Sequence, residues 1–361
     1  MPTRRRISPR RIAAVVAAGV LALAVWRFVE TAGLLRQLTP VRPGPCRAVA
    51  GFDGPEDIVI DRARSLAYVT SADRLGVMRA GSPPNGAILL LPLATGADAI
   101  PRRLTPLPPE TFFPHGLDLW IGPAGERRLF VVNHGRDGAS HSVEIFRITD
   151  EGRRLVHLET IRSRAFIDPN DIVAVGPRSF YLTNLYGSRS ALGRILEGYL
   201  MLPLADVVHF DGVRARPVAG GLRMANGIAR DAAGERIFVA EITGRAVTAF
   251  RRLPGSGGLG KLWRRAVPMG VDNLSMDADG VLWAAGHPDL LAISARLGGS
   301  QAPSPSEVMR IDWRDRSVPA WRTVFLDRGG TLSAASVAVH VDDRLLIGAV
   351  FGGKILDCRL S

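Results

Sequence analysis

Six related segments recur along the chain at intervals of roughly 50 to 60 residues, and they constrain its fold more than any other feature. They begin at Gly54, Phe113, Pro169, Met224, Val271 and Ala335. Each has a short apolar run, a turn rich in Asp, Gly, Pro or Arg, and a second run rich in β-formers, which is the pattern of a β-hairpin. Repeats of this kind, with little helix, are typical of β-propeller blades. The sequence therefore predicts an all-β domain over residues 30–361, a single six-bladed β-propeller with a central channel.

In five of these segments, polar side chains stand immediately before the first strand. They are Glu56, Asp57, His115, Asn170, Asp171, Asn226, Asp272 and Asn273. The innermost strands of a propeller run along its channel, so residues at the same end of each strand converge on one axis. A lone Asn or Asp is usually a turn former. Repetition at one position of five repeats instead favours a shared site.

The chemistry of this set favours Ca²⁺. It is rich in carboxylate and amide oxygens and contains no thiol, whereas Zn²⁺ prefers His and Cys, and Mg²⁺ keeps more water. Five residues give two negative charges against the two positive charges of one ion: Glu56, Asn170, Asn226, Asp272 and Asn273. Asp57 and Asp171 remain, and they could hold a second ion deeper in the channel or cap the blades structurally.

Two histidines belong to the second repeat. His115 precedes its first strand and His134 follows its second, and the start and end of a hairpin lie close together. Such a pair could act as general base on water, because the pKa of imidazole lies near neutrality. The alternative is that both simply line the channel. His287 stands at the end of the fifth hairpin, where it would line the same mouth.

The N-terminus reads as an export signal or signal-anchor. A positive leader precedes an uninterrupted apolar run at residues 12–26, and Arg27 could snorkel and extend it. We predict a retained membrane anchor over residues 1–29, with cleavage at Ala22-Leu23-Ala24 as the alternative. Export places the body outside the cytoplasm, in the periplasm or extracellular space. There, Cys46 and Cys358 are expected to form one disulfide, the alternative being two buried thiols.

The charge of the chain does not indicate a nucleic-acid partner. The formal net charge is +12, but its Arg residues are scattered rather than clustered with aromatic residues. We expect no nucleic acid among its partners.

Several motifs resemble the paraoxonase/arylesterase family, in order from about Cys46 to Cys358. They are PHGLDLW, LFVVNH, LVHLETIRSRAFIDPNDIVAVGPRSFYLTN, MANGIARDAAGERIFVAEI, VDNLSMD and LLIGAVF. The resemblance implies a six-bladed propeller that holds two calcium ions and hydrolyses lactones, and in many members aryl esters.

The resemblance also implies a role for each matching residue. The ligands of a catalytic calcium correspond to Glu56, Asn170, Asn226, Asp272 and Asn273. Those of a structural calcium correspond to Asp57, Asp171 and the backbone carbonyl of Leu117. His115 and His134 match a catalytic His dyad, and Cys46 and Cys358 the family's single disulfide. The chain departs from the family at Leu75 and Met224, where relatives tend to carry aromatic residues that would wall the substrate pocket.

The predicted function is therefore calcium-dependent hydrolysis of a small-molecule lactone or ester. One alternative is a gluconolactonase-like sugar lactonase. Another is a non-catalytic binding propeller with structural calcium, for which a filled, dry channel is expected instead of an open pocket. The sequence leaves the substrate and the oligomeric state open.

Overall fold

Six four-stranded antiparallel sheets surround a central channel in the computed structural model. The structure describes residues 9–80, 85–94, 99–104, 112–135, 140–314 and 319–360. The innermost strands of neighbouring sheets contact one another around the whole ring, and the last sheet contacts the first. The predicted all-β, six-bladed propeller is confirmed.

Each of the six predicted hairpins forms the two inner strands of one blade. The innermost strands are β2 (Pro55–Asp61), β6 (Pro114–Ile121), β10 (Pro169–Ala174), β14 (Ala225–Arg230), β18 (Gly270–Met276) and β22 (Ala335–Val341). The second strands are β3 (Leu66–Ser71), β7 (Arg127–Asn133), β11 (Phe180–Asn184), β15 (Arg236–Glu241), β19 (Leu282–His287) and β23 (Arg344–Ala349).

The outer strands complete the blades. The third strands are β4 (Ala87–Pro92), β8 (Ser142–Thr149), β12 (Ala205–Phe210), β16 (Ala246–Arg252), β20 (Ser306–Asp312) and β24 (Lys354–Arg359). The outermost strands are β5 (Arg102–Leu104), β9 (Arg154–Ile161), β13 (Ala215–Leu222), β17 (Leu259–Ala266), β21 (Ala320–Asp327) and β1 (Cys46–Ala50).

Strand β1 closes the ring by pairing with β24, so the two ends of the domain share the sixth blade. Cys46 lies opposite Cys358 in this pairing, and the two form a disulfide bond. The predicted disulfide is confirmed.

The core lies between the blades, where faces of adjacent sheets pack together. One cluster joins Val69 and Leu89 of the first blade to Val337 and Leu346 of the sixth. The second strands read as near-continuous apolar runs because both of their faces are buried. Packing of this kind fixes the innermost strands relative to one another.

A register irregularity occurs near the start of every innermost strand. In the first blade, the pairing passes from Pro55 with Ser71 directly to Ile58 with Val69, which leaves Glu56 and Asp57 unpaired. The polar residues expected before the strands therefore lie within them, at these bulges. A bulge frees a strand residue from the ladder and re-aims its side chain, which explains the difference.

The described residues form four helices beside the propeller: α1 (Pro9–Ala32), α2 (Arg74–Ala80), α3 (Ala191–Tyr199) and α4 (Leu290–Leu297). The predicted N-terminal helix is confirmed as α1, and the other three were not predicted. Short 3₁₀ turns follow β2 and β8, at Arg62–Arg64 and Asp150–Gly152. The N-cap side chains are Ser190 for α3, which accepts a hydrogen bond from the Gly193 amide, and Asp289 for α4.

Helix α1 is long and apolar enough to cross a membrane over Val15–Ala32, a test that a signal sequence also passes. Its last turn is attached to the propeller, where Arg245 Nη1 donates to the Thr31 carbonyl at 2.8 Å. Arg36, just beyond the helix, forms an ion pair with the fully buried Glu307. An apolar N-terminal helix together with a disulfide is typical of exported proteins.

Candidate active site

The bulged residues of five blades meet at one end of the channel, beneath a cavity of about 580 Å³. The predicted oxygen-bearing side chains of the channel are all buried, with at most 4% of any residue exposed: Glu56, Asp57, Asn170, Asp171, Asn226, Asp272 and Asn273. A second cavity, of about 270 Å³, opens at the other end of the channel. Asp57, Asp171 and Leu117 border this second cavity, so the two predicted ligand sets lie at successive depths.

Four side-chain oxygens of the first set have no hydrogen-bond partner although they are buried. They are Glu56 Oε2, Asn170 Oδ1, Asn226 Oδ1 and Asn273 Oδ1. The amide nitrogen of Asn273 donates to Glu56 Oε1 at 2.9 Å, and that of Asn170 lies 3.4 Å from His115 Nε2. These amides thus direct their nitrogens at protein groups and keep their oxygens unused. Unpaired buried oxygens contributed by four blades fit a hard cation such as Ca²⁺.

The amide content of this set is high. Among the described residues, no group of three or more His, Cys, Asp or Glu is arranged to hold a metal ion. Three of the five predicted ligands are Asn, and amide oxygens bind Ca²⁺ without adding charge.

The electrostatics of the site reflect buried carboxylates. Burial raises the pKa of Glu56 to about 8, and the charges of Asp57 and Asp272 add to the effect against the opposing charge of Arg74. Burial likewise raises the pKa of Asp57 to about 7 and that of Asp171 well above its usual range. A cation among them would favour the ionised forms.

Asp57 and Asp171 are used differently from the first set. Asp57 accepts hydrogen bonds from the amides of Ile58 and Leu117, each at 2.8 Å. Asp171 accepts from Ile172 and Ile228, each at 2.7 Å. Each carboxylate therefore ties its own blade to the next one, the capping role that the sequence left open. Both oxygens of each carboxylate already have a partner, in contrast to the orphaned oxygens of the first set.

The two predicted histidines meet. The ring centroids of His115 and His134 lie 4.7 Å apart. His134 Nε2 lies 2.6 Å from the Pro169 carbonyl, so this nitrogen carries the proton and Nδ1 is the acceptor. Burial lowers the pKa of His134 to about 4, while burial, His134 and Arg74 lower that of His115 well below its usual value. Both imidazoles are neutral at neutral pH.

His287 lines the same cavity, as expected. Its Nε2 lies 2.9 Å from Asp272 Oδ2, and it is the last residue of β19. The contact orients Asp272 toward the site.

Sequence reasoning missed two residues of the site. Arg74 is buried and reaches the Pro114 carbonyl at 2.9 Å, and its Nη2 lies 3.8 Å from Glu56 Oε2. His141 is buried with its ring centroid 4.9 Å from that of His134. The signal for Arg74 was present: it follows the second strand of its hairpin, as His134 does, and the end of a hairpin lies beside its start.

The walls of the cavity are apolar. They come from the end of helix α1, from helices α3 and α4 and from neighbouring loops, and include Phe28, Ile195, Met201, Met224, Ile242, Leu291 and Leu297. Met224 therefore does line the pocket. Leu75 packs instead in a small cluster with Ile293 and Phe351. A polar floor below apolar walls suits a ligand with one polar group on an apolar body.

A six-bladed ring with an open pocket over paired imidazoles and buried oxygens defines a β-propeller enzyme rather than a filled, dry binding module. The arylesterase family model matches residues 82–360. Serum paraoxonase/arylesterase 1 of Rattus norvegicus is 32% identical over 330 residues, covering 90% of this chain and 91% of its own. Serum paraoxonase/arylesterase 2 of Gallus gallus is 31% identical over 350 residues, covering 96% and 97%. The chain belongs to the paraoxonase/arylesterase family, a family of ester hydrolases, as the motifs indicated.

Solved structures of more distant proteins share the fold. A luciferin-regenerating enzyme superposes with a TM-score of 0.54 at 11% identity, over 88% of this chain and 95% of its own. A gluconolactonase from Xanthomonas campestris has a TM-score of 0.50 at 17% identity, over 91% and 99%. At these identities the likeness concerns the fold alone.

Proposed function

We propose that the chain is a calcium-dependent hydrolase of lactones, and also of aryl esters. The observation that carries this proposal is the set of four buried oxygens without hydrogen bonds at the end of the channel beneath an apolar pocket. The residues that would hold the ion are Glu56, Asn170, Asn226, Asp272 and Asn273. When bound, calcium supplies a Lewis acid for the negative charge that develops on the substrate carbonyl oxygen.

The histidine pair would act as the general base that accepts the proton of the attacking water. His134 has its Nε2 proton committed to the Pro169 carbonyl, which leaves Nδ1 as an acceptor close to the ring of His115. Because both imidazoles are neutral at neutral pH, His115 can accept a proton from water, with His134 as its partner. Arg74 lies 3.8 Å from Glu56, and a bound cation beside this carboxylate would favour its ionised form as a ligand, which leaves the water-activating role to the histidines.

A second calcium ion is part of the proposal, with Asp57, Asp171 and the Leu117 carbonyl as its ligands. The two carboxylates already bridge adjacent blades through the amides of Leu117 and Ile228. An ion there would reinforce the same contacts between blades.

The apolar walls of the pocket favour one class of lactone over another as the substrate. A sugar lactone carries hydroxyl groups that need partners, whereas apolar groups, both aliphatic and aromatic, form most of the surface of this cavity. Aliphatic lactones therefore fit better than the gluconolactonase-like alternative. We also propose that residues 1–29 anchor the protein, with residues 30–361 as the hydrolase domain on the periplasmic or extracellular side.

The test is hydrolysis by the full-length, detergent-solubilised protein of aliphatic γ- and δ-lactones, phenyl acetate and a sugar lactone. Each is assayed with calcium, after chelation, and after calcium is restored. We expect calcium-dependent turnover of the aliphatic lactones, and a large loss in His115→Gln without loss of calcium binding. A folded, calcium-loaded protein that hydrolyses none of them would support the binding propeller instead.

A further inference from the structure

The end of helix α1 belongs to the wall of the active-site pocket. Phe28, Thr31 and Ala32 line the cavity, and their i, i+3, i+4 spacing places them on one face of the helix. Earlier in α1, large apolar side chains are exposed: Val15, Val16, Leu21, Leu23, Val25 and Trp26. The apolar side chains of α1 are thus exposed before Phe28, and from Phe28 onward one face of the helix lines the cavity.

Several contacts hold this part of α1 in place. Arg245 donates to the Thr31 carbonyl, and Gly33 ends the helix with a φ of +83° directly against the Pro288 carbonyl, where a Cβ would not fit. Arg36 pairs with the buried Glu307 and donates to the Pro268 carbonyl at 2.8 Å. These partners lie in the fourth and fifth blades. The wall at Phe28 is therefore built into the propeller.

The pocket has two chemically different parts. The carbonyl-binding groups lie on its floor, at the ends of the innermost strands. Helices α1, α3 and α4 contribute apolar wall residues, among them Phe28, Tyr199 and Leu291. A substrate whose reacting group lies on the floor would place any long aliphatic substituent against these helices.

We propose that Phe28 is a specificity-determining residue that contacts the aliphatic chain of the substrate. The inference rests on the proposed function for the reacting group, a lactone or ester, and adds that this group carries a long alkyl chain. It also makes residues 28–32 part of the functional enzyme, whether or not the helix is cleaved after Ala24.

The test uses the full-length protein in lipid nanodiscs, with calcium, and p-nitrophenyl esters of four-carbon and twelve-carbon acids. Phe28→Ala is compared with Trp26→Ala, a matched control that removes an aromatic side chain from the opposite face of the same helix, where Trp26 is 56% exposed. We expect Phe28→Ala to lower kcat/KM for the long ester by about tenfold and leave the short ester within about twofold. Trp26→Ala should leave both values unchanged.

Equal changes for both esters, no change for either, or the same profile in Trp26→Ala would overturn the inference. A second readout needs no turnover: photolabelling by a non-hydrolysable γ-lactam whose alkyl chain carries a diazirine. Labelling of the peptide that contains Phe28, displaced by excess unlabelled lactam, supports the inference even if no ester is hydrolysed, in which case only the proposed function fails. Labelling that maps elsewhere, or is not displaced, would contradict it.

Discussion

At the scale of single residues, the site is distinguished by what its side chains leave unused. Asn273 satisfies its nitrogen with Glu56 and keeps its oxygen unpaired, and Asn226 also has an unpaired oxygen. A buried polar atom without a partner costs about 1–3 kcal/mol, so four of them at one place indicate a partner that binds there. Asp57 and Asp171, with both oxygens engaged, show the opposite pattern in the same channel.

Replacing Asn226 with Ala should weaken calcium binding because it removes one unpaired oxygen and adds no charge. We expect calcium affinity and lactonase kcat/KM to fall by at least about a hundredfold. Calorimetric calcium titration and an initial-rate assay measure the two effects. Ser275→Ala, on the part of β18 that borders the cavity at the other end, is the control and should keep both values. An Asn226→Ala protein with full calcium-dependent activity would remove the basis of the calcium proposal.

The raised carboxyl pKa values predict how the chelated protein responds to pH. Between about pH 6.5 and 8, native Glu56, Asp57 and Asp171 retain protons that the unfolded chain has released, since their pKa values are raised to about 8, about 7 and well above the usual range. The native state then binds more protons, so the free energy of unfolding falls as pH rises. His115 and His134 oppose this trend only in the lower part of the window. Their lowered pKa values keep them neutral in the native state, whereas the imidazoles of the unfolded chain, with a pKa of about 6.5, still hold part of a proton near pH 6.5. This opposing effect fades as the pH rises toward 8, where the unfolded imidazoles are also neutral.

Thermal unfolding in EDTA at pH 6.5 and pH 8.5 measures the effect. We expect a lower Tm at pH 8.5, and a larger rise in Tm on calcium addition at pH 8.5 than at pH 6.5, since the ion replaces the protons. Equal Tm values in EDTA at the two pH values would show that these carboxyls ionise normally.

At the scale of elements, β-bulges and the close approach of neighbouring strands bring the polar residues of separate hairpins together in one site. The bulges release the ligand residues from the ladders, and a glycine after the ligand lets the next blade approach. A Cβ on Gly227 would lie 2.5 Å from Asn273 Cα and 2.6 Å from the Asp272 carbonyl oxygen. The atoms that this Cβ would meet belong to the backbone of β18, so a side-chain rotamer change cannot make room for a larger residue.

Gly227→Ala should therefore push β14 away from β18 and separate the ligands. We expect a loss of at least about 2 kcal/mol in the free energy of unfolding, together with weakened calcium binding. Denaturant unfolding and calcium titration report the two effects. Gly220→Ala, in β13 and with only the Asp206 Cβ within reach, at 4.0 Å, should be close to neutral. Similar stability in both variants would show that the strands separate easily.

The elements differ in how well the sequence predicts them. The six inner hairpins were predictable because each is encoded locally, by apolar runs around a turn. The bulges were not, because a bulge depends on the partner strand, and the predicted residues accordingly lie inside the strands. Helices α3 and α4 span only 9 and 8 residues, and their caps at Ser190 and Asp289 were the available signal. Arg74 was within reach of the same reasoning, since it follows the second strand of its hairpin, whereas His141 reaches the site through tertiary packing, which repeat spacing does not reveal.

At the scale of the whole molecule, the ring has a single seam. The sixth blade takes three strands from the C-terminus and β1 from the other end of the domain. The disulfide crosses this seam over a sequence separation of 312 residues. The seam was predictable from the positions of Cys46 and Cys358 once a closed ring was predicted, since closure must bring the ends of a ring together.

The double variant Cys46→Ser/Cys358→Ser should lose about 2–5 kcal/mol of unfolding free energy, because the unfolded chain is no longer cross-linked. Activity at low temperature should persist, since neither cysteine approaches the channel mouth. Denaturant titration of the variant and of the wild type under reductant should agree. A variant as stable as the oxidised wild type would mean that the strand pairing alone secures the seam.

The pairing of β1 with β24 also sets the order in which the protein can be made. Synthesis adds about 5–20 residues per second, so β1 waits roughly 15–60 s for the strand that completes its blade. Five blades can form from consecutive segments during this time, but the sixth cannot. For an exported chain, β1 emerges first from the translocation channel as an unpaired strand, exposed to chaperones and to incorrect disulfide partners until the last residues arrive. In an exported chain, ring closure is thus a final event that takes place outside the cytoplasm.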